Sequence, residues 1–158
     1  HFAHSVSYPK GITPIRNLKN YKGISQVTLT EKSKTSFSFE MKTDIFENFS
    51  SKRYVSIDNT FNFSIEDLII SNLVNHKDYE TRFIIPADKK IIISDQYIDI
   101  IGKNVTLRLS FNLSAKSVSV EDIKISKVFN QLINAKALIF EFQRDSLNVK
   151  YDFVWLPH

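Results

Sequence analysis

Residues 80–113 read ETRFIIPADKKIIISDQYIDIIGKNVTLRLSFNL, and this stretch decides the fold class. Within it Val105, Leu107, Leu109, Phe111 and Leu113 fall on one parity, and Thr106, Arg108, Ser110 and Asn112 on the other. Successive side chains of a strand point to opposite faces, so this pattern predicts a strand with one dry face. Phe83-Ile84-Ile85 and Ile91-Ile92-Ile93 are unbroken apolar runs rich in β-branched residues, which suit strands covered on both faces. Pro86, which lacks a backbone donor, and Gly102-Lys103-Asn104 separate the segments with turn-forming chemistry. Closely spaced strands with short connections form a meander.

Working outward, the same period recurs. Val27 and Leu29 open a strand, Phe37, Phe39 and Met41 alternate with polar residues, and Val55, Ile57, Phe61 and Phe63 share a parity across the turn-prone Asp58-Asn59. Val118 and Val120 are followed by Ile123 and Ile125 on the opposite parity, which predicts a turn or bulge at Glu121-Asp122. Leu138 to Phe142 reads as a strand. Leu147, Val149, Tyr151, Phe153 and Trp155 alternate with Asn148, Lys150 and Asp152 in a final one. Two segments carry helical spacing instead. Ser126 can cap a helix to Ala137, with Val128, Phe129, Leu132 and Ile133 as its stripe; Ser64 can cap a second, carrying Ile65, Leu68, Ile69 and Leu73. The expectation is a mainly β fold, a sandwich or flattened barrel of about eight to ten strands with one or two short helices.

The chain has 158 residues, 42% of them apolar and 24% charged, which is globular composition and enough for a core. It contains no cysteine, which excludes disulfides, thiolate metal sites and a cysteine nucleophile. Only three glycines occur, so a glycine-rich phosphate loop is absent. No apolar run is long enough for a membrane-spanning helix. The net charge is +4 and unevenly placed. Before Glu31 there is no acid but four bases, Lys10, Arg16, Lys19 and Lys22; from Glu31 onward 17 bases meet 17 acids. Residues 1–23, with Pro9, Pro14, Gly11 and Gly23 and no sustained period, read as an extended basic arm preceding a single β-rich domain over 24–158. Such an arm is either a solvated leader or a contact for an anionic surface or protein partner through Lys10, Arg16, Lys19 and Lys22. The neutral body speaks against nucleic acid.

Chemistry-bearing motifs are sparse. The histidines are His1, His4, His76 and His158, and no zinc-protease, serine-hydrolase or P-loop spacing occurs. If His1 is a mature N-terminus, its α-amine and imidazole can chelate Cu(II), with His4 or His76 completing a tetragonal nitrogen site. In that feature the chain resembles copper proteins of the polysaccharide-monooxygenase and CopC types. The acidic pairs Glu66/Asp67 and Glu121/Asp122 read as cap and turn residues, and Asp95/Asp99 as a strand-face pair open to a salt bridge or a cation. Asn48, Asn62, Asn104 and Asn112 each open an Asn-x-Ser/Thr sequence. The functional expectation is a non-enzymatic, exported or cell-envelope interaction domain of virulence-associated kind, secreted or periplasmic, binding a protein or surface partner. Copper bound at His1 is its alternative, and a hydrolase or lyase using scattered carboxylates ranks behind both.

Overall fold

A computed structural model describes residues 6–12, 26–32, 36–43, 46, 48–73, 75–128 and 131–158. They form twelve strands: β1 (Val6–Pro9), β2 (Gln26–Lys32), β3 (Ser36–Thr43), β4 (Phe49–Asp58), β5 (Phe63–Ser71), β6 (Asp78–Pro86), β7 (Lys90–Ile93), β8 (Ile98–Ile101), β9 (Val105–Phe111), β10 (Ser117–Val128), β11 (Gln131–Gln143) and β12 (Ser146–Pro157). One sheet has the order β1-β6-β11-β10 and the other β2-β3-β4-β5-β12-β9-β8-β7, with every pairing antiparallel. The architecture is a β-sandwich. No described helix is long and apolar enough to cross a membrane.

The core lies where the sheets face each other. From the smaller sheet come Tyr79, Phe83, Leu138, Phe140 and Phe142; from the larger come Ile69, Ile98, Leu109, Leu147 and Tyr151. The alternation of the opening stretch holds: Leu109 and the expected Phe140, Tyr151 and Phe153 are buried, while Leu107 and Phe111 pack against them half-buried. The two sheets meet through aromatic rings. Phe83 stands edge-on to Tyr151 and Phe153, with centroids 4.9 and 5.4 Å apart, and Phe111 is edge-on to Phe140 at 5.1 Å. These are the separations at which ring quadrupoles attract.

Both expected helices are strands. Ser64 to Leu73 falls mostly in β5, where Phe63, Ile65, Asp67 and Ile69 share the inward parity. The alternation was hidden because one inward residue is an aspartate. Asp67 is buried and accepts two hydrogen bonds from Arg53 on β4, at 2.6 and 2.7 Å, and a further one from the Ser7 hydroxyl on β1. Ser126 to Ala137 lies in the β10–β11 hairpin, with residues 129 and 130 outside the described set. Gln131 to Asn134 are exposed, so no core-facing alternation exists there to be read. No turn occurs at Glu121-Asp122; β10 runs through it, and the ladder shifts instead between Ser126 and Val128.

Part of the basic arm also takes a place in the sandwich. Val6–Pro9 pairs with β6, Ser7 bonds to Thr81 at 2.6 Å, and the buried Tyr8 hydroxyl donates to Glu80, which also takes Arg82. At the far side the larger sheet continues beyond the smaller one. Val27, Leu29 and Met41 there share the inward parity with Phe39, Val55 and Ile57 yet are exposed.

Two core substitutions should act in opposite directions. Leu109→Ala removes a fully buried side chain and should cost about 2–5 kcal/mol in urea unfolding. Tyr151 is equally buried, but its hydroxyl, which has the Thr81 side chain near it, makes no hydrogen bond of ordinary geometry. Tyr151→Phe should therefore be neutral or stabilise by up to about 1 kcal/mol. A loss comparable to that of Leu109→Ala would show that the hydroxyl is satisfied.

Candidate functional site

One end of the sandwich collects the β4–β5 turn (residues 58–62), the β6–β7 link, the β8–β9 turn and the last residues of β12. The registers bring them together: Phe63 pairs with Phe153, Pro86 with Ala135, Lys90 with Ile101 and Val105 with Pro157. Two separate depressions open near it.

The first, of about 410 Å³, is lined by Ala87, Asp122, Ile123, Lys124, Asn134 and Ala135. At this end the inward parity of the smaller sheet turns from apolar to polar. Beyond Val120 and Leu138 come Asp122 opposite Lys136 and Lys124 opposite Asn134. Lys136 Nζ donates to the Lys89 carbonyl at 2.6 Å, which ties the β6–β7 link to β11. Lys89 itself pairs with Asp88 at 2.6 Å. The lining itself carries one lysine, Lys124, and one carboxylate, Asp122; Lys89 and Lys90 follow Ala87 in the chain, and Lys136 pairs with Asp122 across the ladder. An ammonium is a compact, strongly hydrated charge with three donors, suited to sulfate or carboxylate groups.

The second, of about 340 Å³, lies on the outward side of the larger sheet, lined by Ser56, Asp58, Asn62, Ser64, Asp152 and Val154 among others. Ser56 and Ser64 are cross-strand partners with hydroxyls 2.6 Å apart, and Asp152 is opposite Ser64 on the next strand. Asp58 accepts from Thr60 Oγ1 at 2.6 Å and from the backbone of Thr60 and Asn62; these bonds, that from the Thr60 hydroxyl foremost, hold its carboxyl below the usual range. At the same end, Phe61 in the β4–β5 turn is 75% exposed, and Trp155, on the face of β12 opposite to Asp152 and Val154, is 41% exposed. Periodicity placed both on an apolar, core-facing parity, yet the sheet pairings carry them past the rim of the core.

The described residues among those singled out by sequence lie apart from one another. His1, His4, Arg16, Lys19 and Lys22 lie outside the described residues. His76 Nε2 is 2.8 Å from the Asp78 carbonyl, and its ring stands edge-on to Phe49 and Tyr79. Among the described residues no group of three His, Asp or Glu is placed to hold a metal. Lys10 is half exposed and pairs with Glu141, whose carboxyl it holds below the usual range. Asp95 lies in a depression at the opposite end, with Gln96 and Asn112. Asp99 is bound bidentately by Arg108 at 2.8 and 2.9 Å, and the guanidinium lies 3.8 Å from the Tyr97 ring centre. Asp67, expected at a helix cap, is inside the sandwich instead.

No protein family profile matches the chain, and no curated protein does. Solved structures do share its fold. A heparan sulfate lyase, HepC, from Pedobacter heparinus is 15% identical, with a TM-score of 0.66 over 85% of this chain and 24% of that one. A heparinase III gene product is 14% identical, with a TM-score of 0.64 over 84% of this chain and 22% of its own. A further heparinase III is 10% identical, with a TM-score of 0.65 over 83% and 21%. The chain thus spans less than a quarter of the length of each, and at these identities the likeness is one of fold. These neighbours overturn the expectation of a non-enzymatic interaction domain with copper at His1 as its alternative: the fold is shared with polysaccharide-cleaving proteins.

The Asp99–Arg108 pair should be visible in acid unfolding. The Arg108 hydrogen bonds hold the Asp99 carboxyl below the usual range, so the unfolded chain binds this proton at higher pH than the folded one. Its contribution is complete above the unfolded value of about 4 and is lost as pH falls through the lower folded value. Asp99→Asn should therefore flatten part of the acid limb of the stability–pH curve. Parallel curves for the two proteins would show that the pair contributes nothing.

Proposed function

We propose that this chain is a lyase-related, carbohydrate-binding domain whose target is an acidic polysaccharide. The observation that carries this reading is the fold match, across 85% of the chain, to a heparan sulfate lyase. The lysine-lined end supplies compatible chemistry. Lys124 lines its depression, Lys136 has donors left after its bond to the Lys89 carbonyl, and Lys90 begins the neighbouring strand. A sulfated or uronic chain laid across this end meets ammonium groups carried by strand ends rather than by long loops. The basic excess of residues 1–23, including Arg16, Lys19 and Lys22, adds attraction of the same sign. An exported location, secreted, periplasmic or at the cell envelope, accompanies a polysaccharide target.

Heparan sulfate should be retained at low salt and released as salt rises, because exposed charges are screened within about 8 Å at physiological ionic strength. Lys90→Gln combined with Lys124→Gln should weaken binding about tenfold at low salt and reduce the salt dependence. Titration calorimetry against heparan sulfate and an uncharged dextran at two salt concentrations decides it. Equal affinity of both polymers, or no effect of the double substitution, removes the reading of this end. Incubation with heparan sulfate, followed by the ultraviolet absorbance of newly formed unsaturated uronate ends, tests cleavage in the same samples.

A further inference from the structure

β10 is an open edge of the smaller sheet. It lies on the side away from β1, and along Ser117 to Ile125 no described strand pairs with its outer side. The other described edges are blunted, as edge strands commonly are. β1 and β7 have four residues each, β1 ends in Pro9, and the ladder of β2 shifts between Leu29 and Glu31. β10 has twelve residues, contains neither proline nor glycine, and keeps an unbroken register from Ser117 to Ser126. Such an edge presents a row of backbone donors and acceptors that a further strand can take up. Its charges are available as well. Glu121, Asp122 and Lys124 are exposed, and none of them forms an ion pair among the described residues. Lys136, opposite Asp122 in the ladder, donates to the Lys89 carbonyl instead.

Those charges select the occupant. A two-fold axis normal to the sheet sets β10 antiparallel to β10 of a second copy, with facing residues on the same side of the sheet and therefore of the same parity. The axis then passes beside one residue, and each choice of that residue is one register. Centred on Glu121, Asp122 or Lys124, the pairing sets that residue against its own copy, and like charges directly opposite destabilise a sheet. Centred on Ile123, it sets Ile123 against Ile123 and Asp122 against Lys124 on both sides of the axis. Val120, 38% exposed in the single chain, then falls opposite Ser126, and Glu121 opposite Ile125. Opposite charges facing each other stabilise that one register while the neighbouring ones are repelled. We propose that the chain forms a two-fold dimer through the β10 edge in the register centred on Ile123, which joins two four-stranded sheets into one of eight strands. The depression lined by Asp122, Ile123 and Lys124 adjoins its copy on the same face, across the axis. Such a dimer forms without ligand, so it does not rest on the polysaccharide reading.

Sedimentation equilibrium of the full chain, without polysaccharide, measures the dimer dissociation constant. Asp122→Lys replaces both cross-axis pairs by like charges and should raise that constant about tenfold or more. Adding Lys124→Asp to it exchanges the two charges and should bring the constant back to within about threefold of the parent value. The chain contains no cysteine, so a single one reports the register. Ile123→Cys sets a thiol opposite its copy, at the Cβ separation of about 4.5–5.5 Å of facing residues, close to the span of about 3.5–4.5 Å that a disulfide takes. It should give a covalent dimer under mild oxidation. Glu121→Cys faces Ile125 instead and should stay uncrosslinked. A parent chain that is monomeric at every concentration overturns the dimer. So does a dimer that Asp122→Lys leaves unchanged, one that the double exchange fails to restore, or cross-linking of Glu121→Cys as readily as of Ile123→Cys.

Discussion

The sandwich depends on aromatic rings that bridge its two sheets. Phe83 and Phe140 reach from the smaller sheet, and Phe111, Tyr151 and Phe153 meet them from the larger one at centroid separations of 4.9 to 5.4 Å. Phe63 extends the contact by stacking on Phe153 at 4.3 Å. Rings bury more area per residue than aliphatic side chains and prefer edge-on geometry, so they form the main contact between the two sheets. The twelve strands supply the surfaces, and these rings determine how the surfaces dock.

At the edge of that core the packing changes character. Arg53 and Asp67 from the larger sheet meet Ser7 and Thr81 from the smaller one, replacing apolar contact by charge-assisted hydrogen bonds. A buried pair of this kind adds little net stability, but loss of one partner costs about 3–5 kcal/mol because the other charge is stranded. It also joins β1 to the sheet opposite, so the start of the chain is tied to the interior by a polar clasp as well as by its ladder to β6. Further along the larger sheet, Val27, Leu29 and Met41 of β2 and β3 are exposed on the inward parity.

A shared fold does not carry an activity with it, and sandwiches host many unrelated functions. Here the likeness to heparan sulfate lyases extends over most of the chain but less than a quarter of theirs. The surface chemistry therefore has to bear the functional reading. It divides into a depression at the end of the smaller sheet, bearing Lys124 and Asp122, and an acceptor-rich one on the outward face of the larger sheet.

What the chain determined by itself was its β class and the inward faces of its strongest strands. The period-2 pattern from Val105 to Phe111 and from Leu147 to Phe153 needed no tertiary information, because side chains alternate whatever the strand pairs with. The helices misread at Ser64 and Ser126 lay where that rule is silent: a charged residue faced inward in β5, and Gln131 to Asn134 at the start of β11 are exposed on both parities. Arg53 and Asp67 could have been matched from sequence, since opposite charges occupy the apolar parity of two adjacent segments. Phe61 and Trp155 could not. Their parity marked them as core, and only the register of β5, β9 and β12 shows that the strands carry them beyond the opposing sheet. The lysines of the smaller sheet's end likewise come from segments far apart in the chain. Pairing of β6, β10 and β11 alone brings them together, because long-range register is a property of the assembled sheets and not of any local stretch.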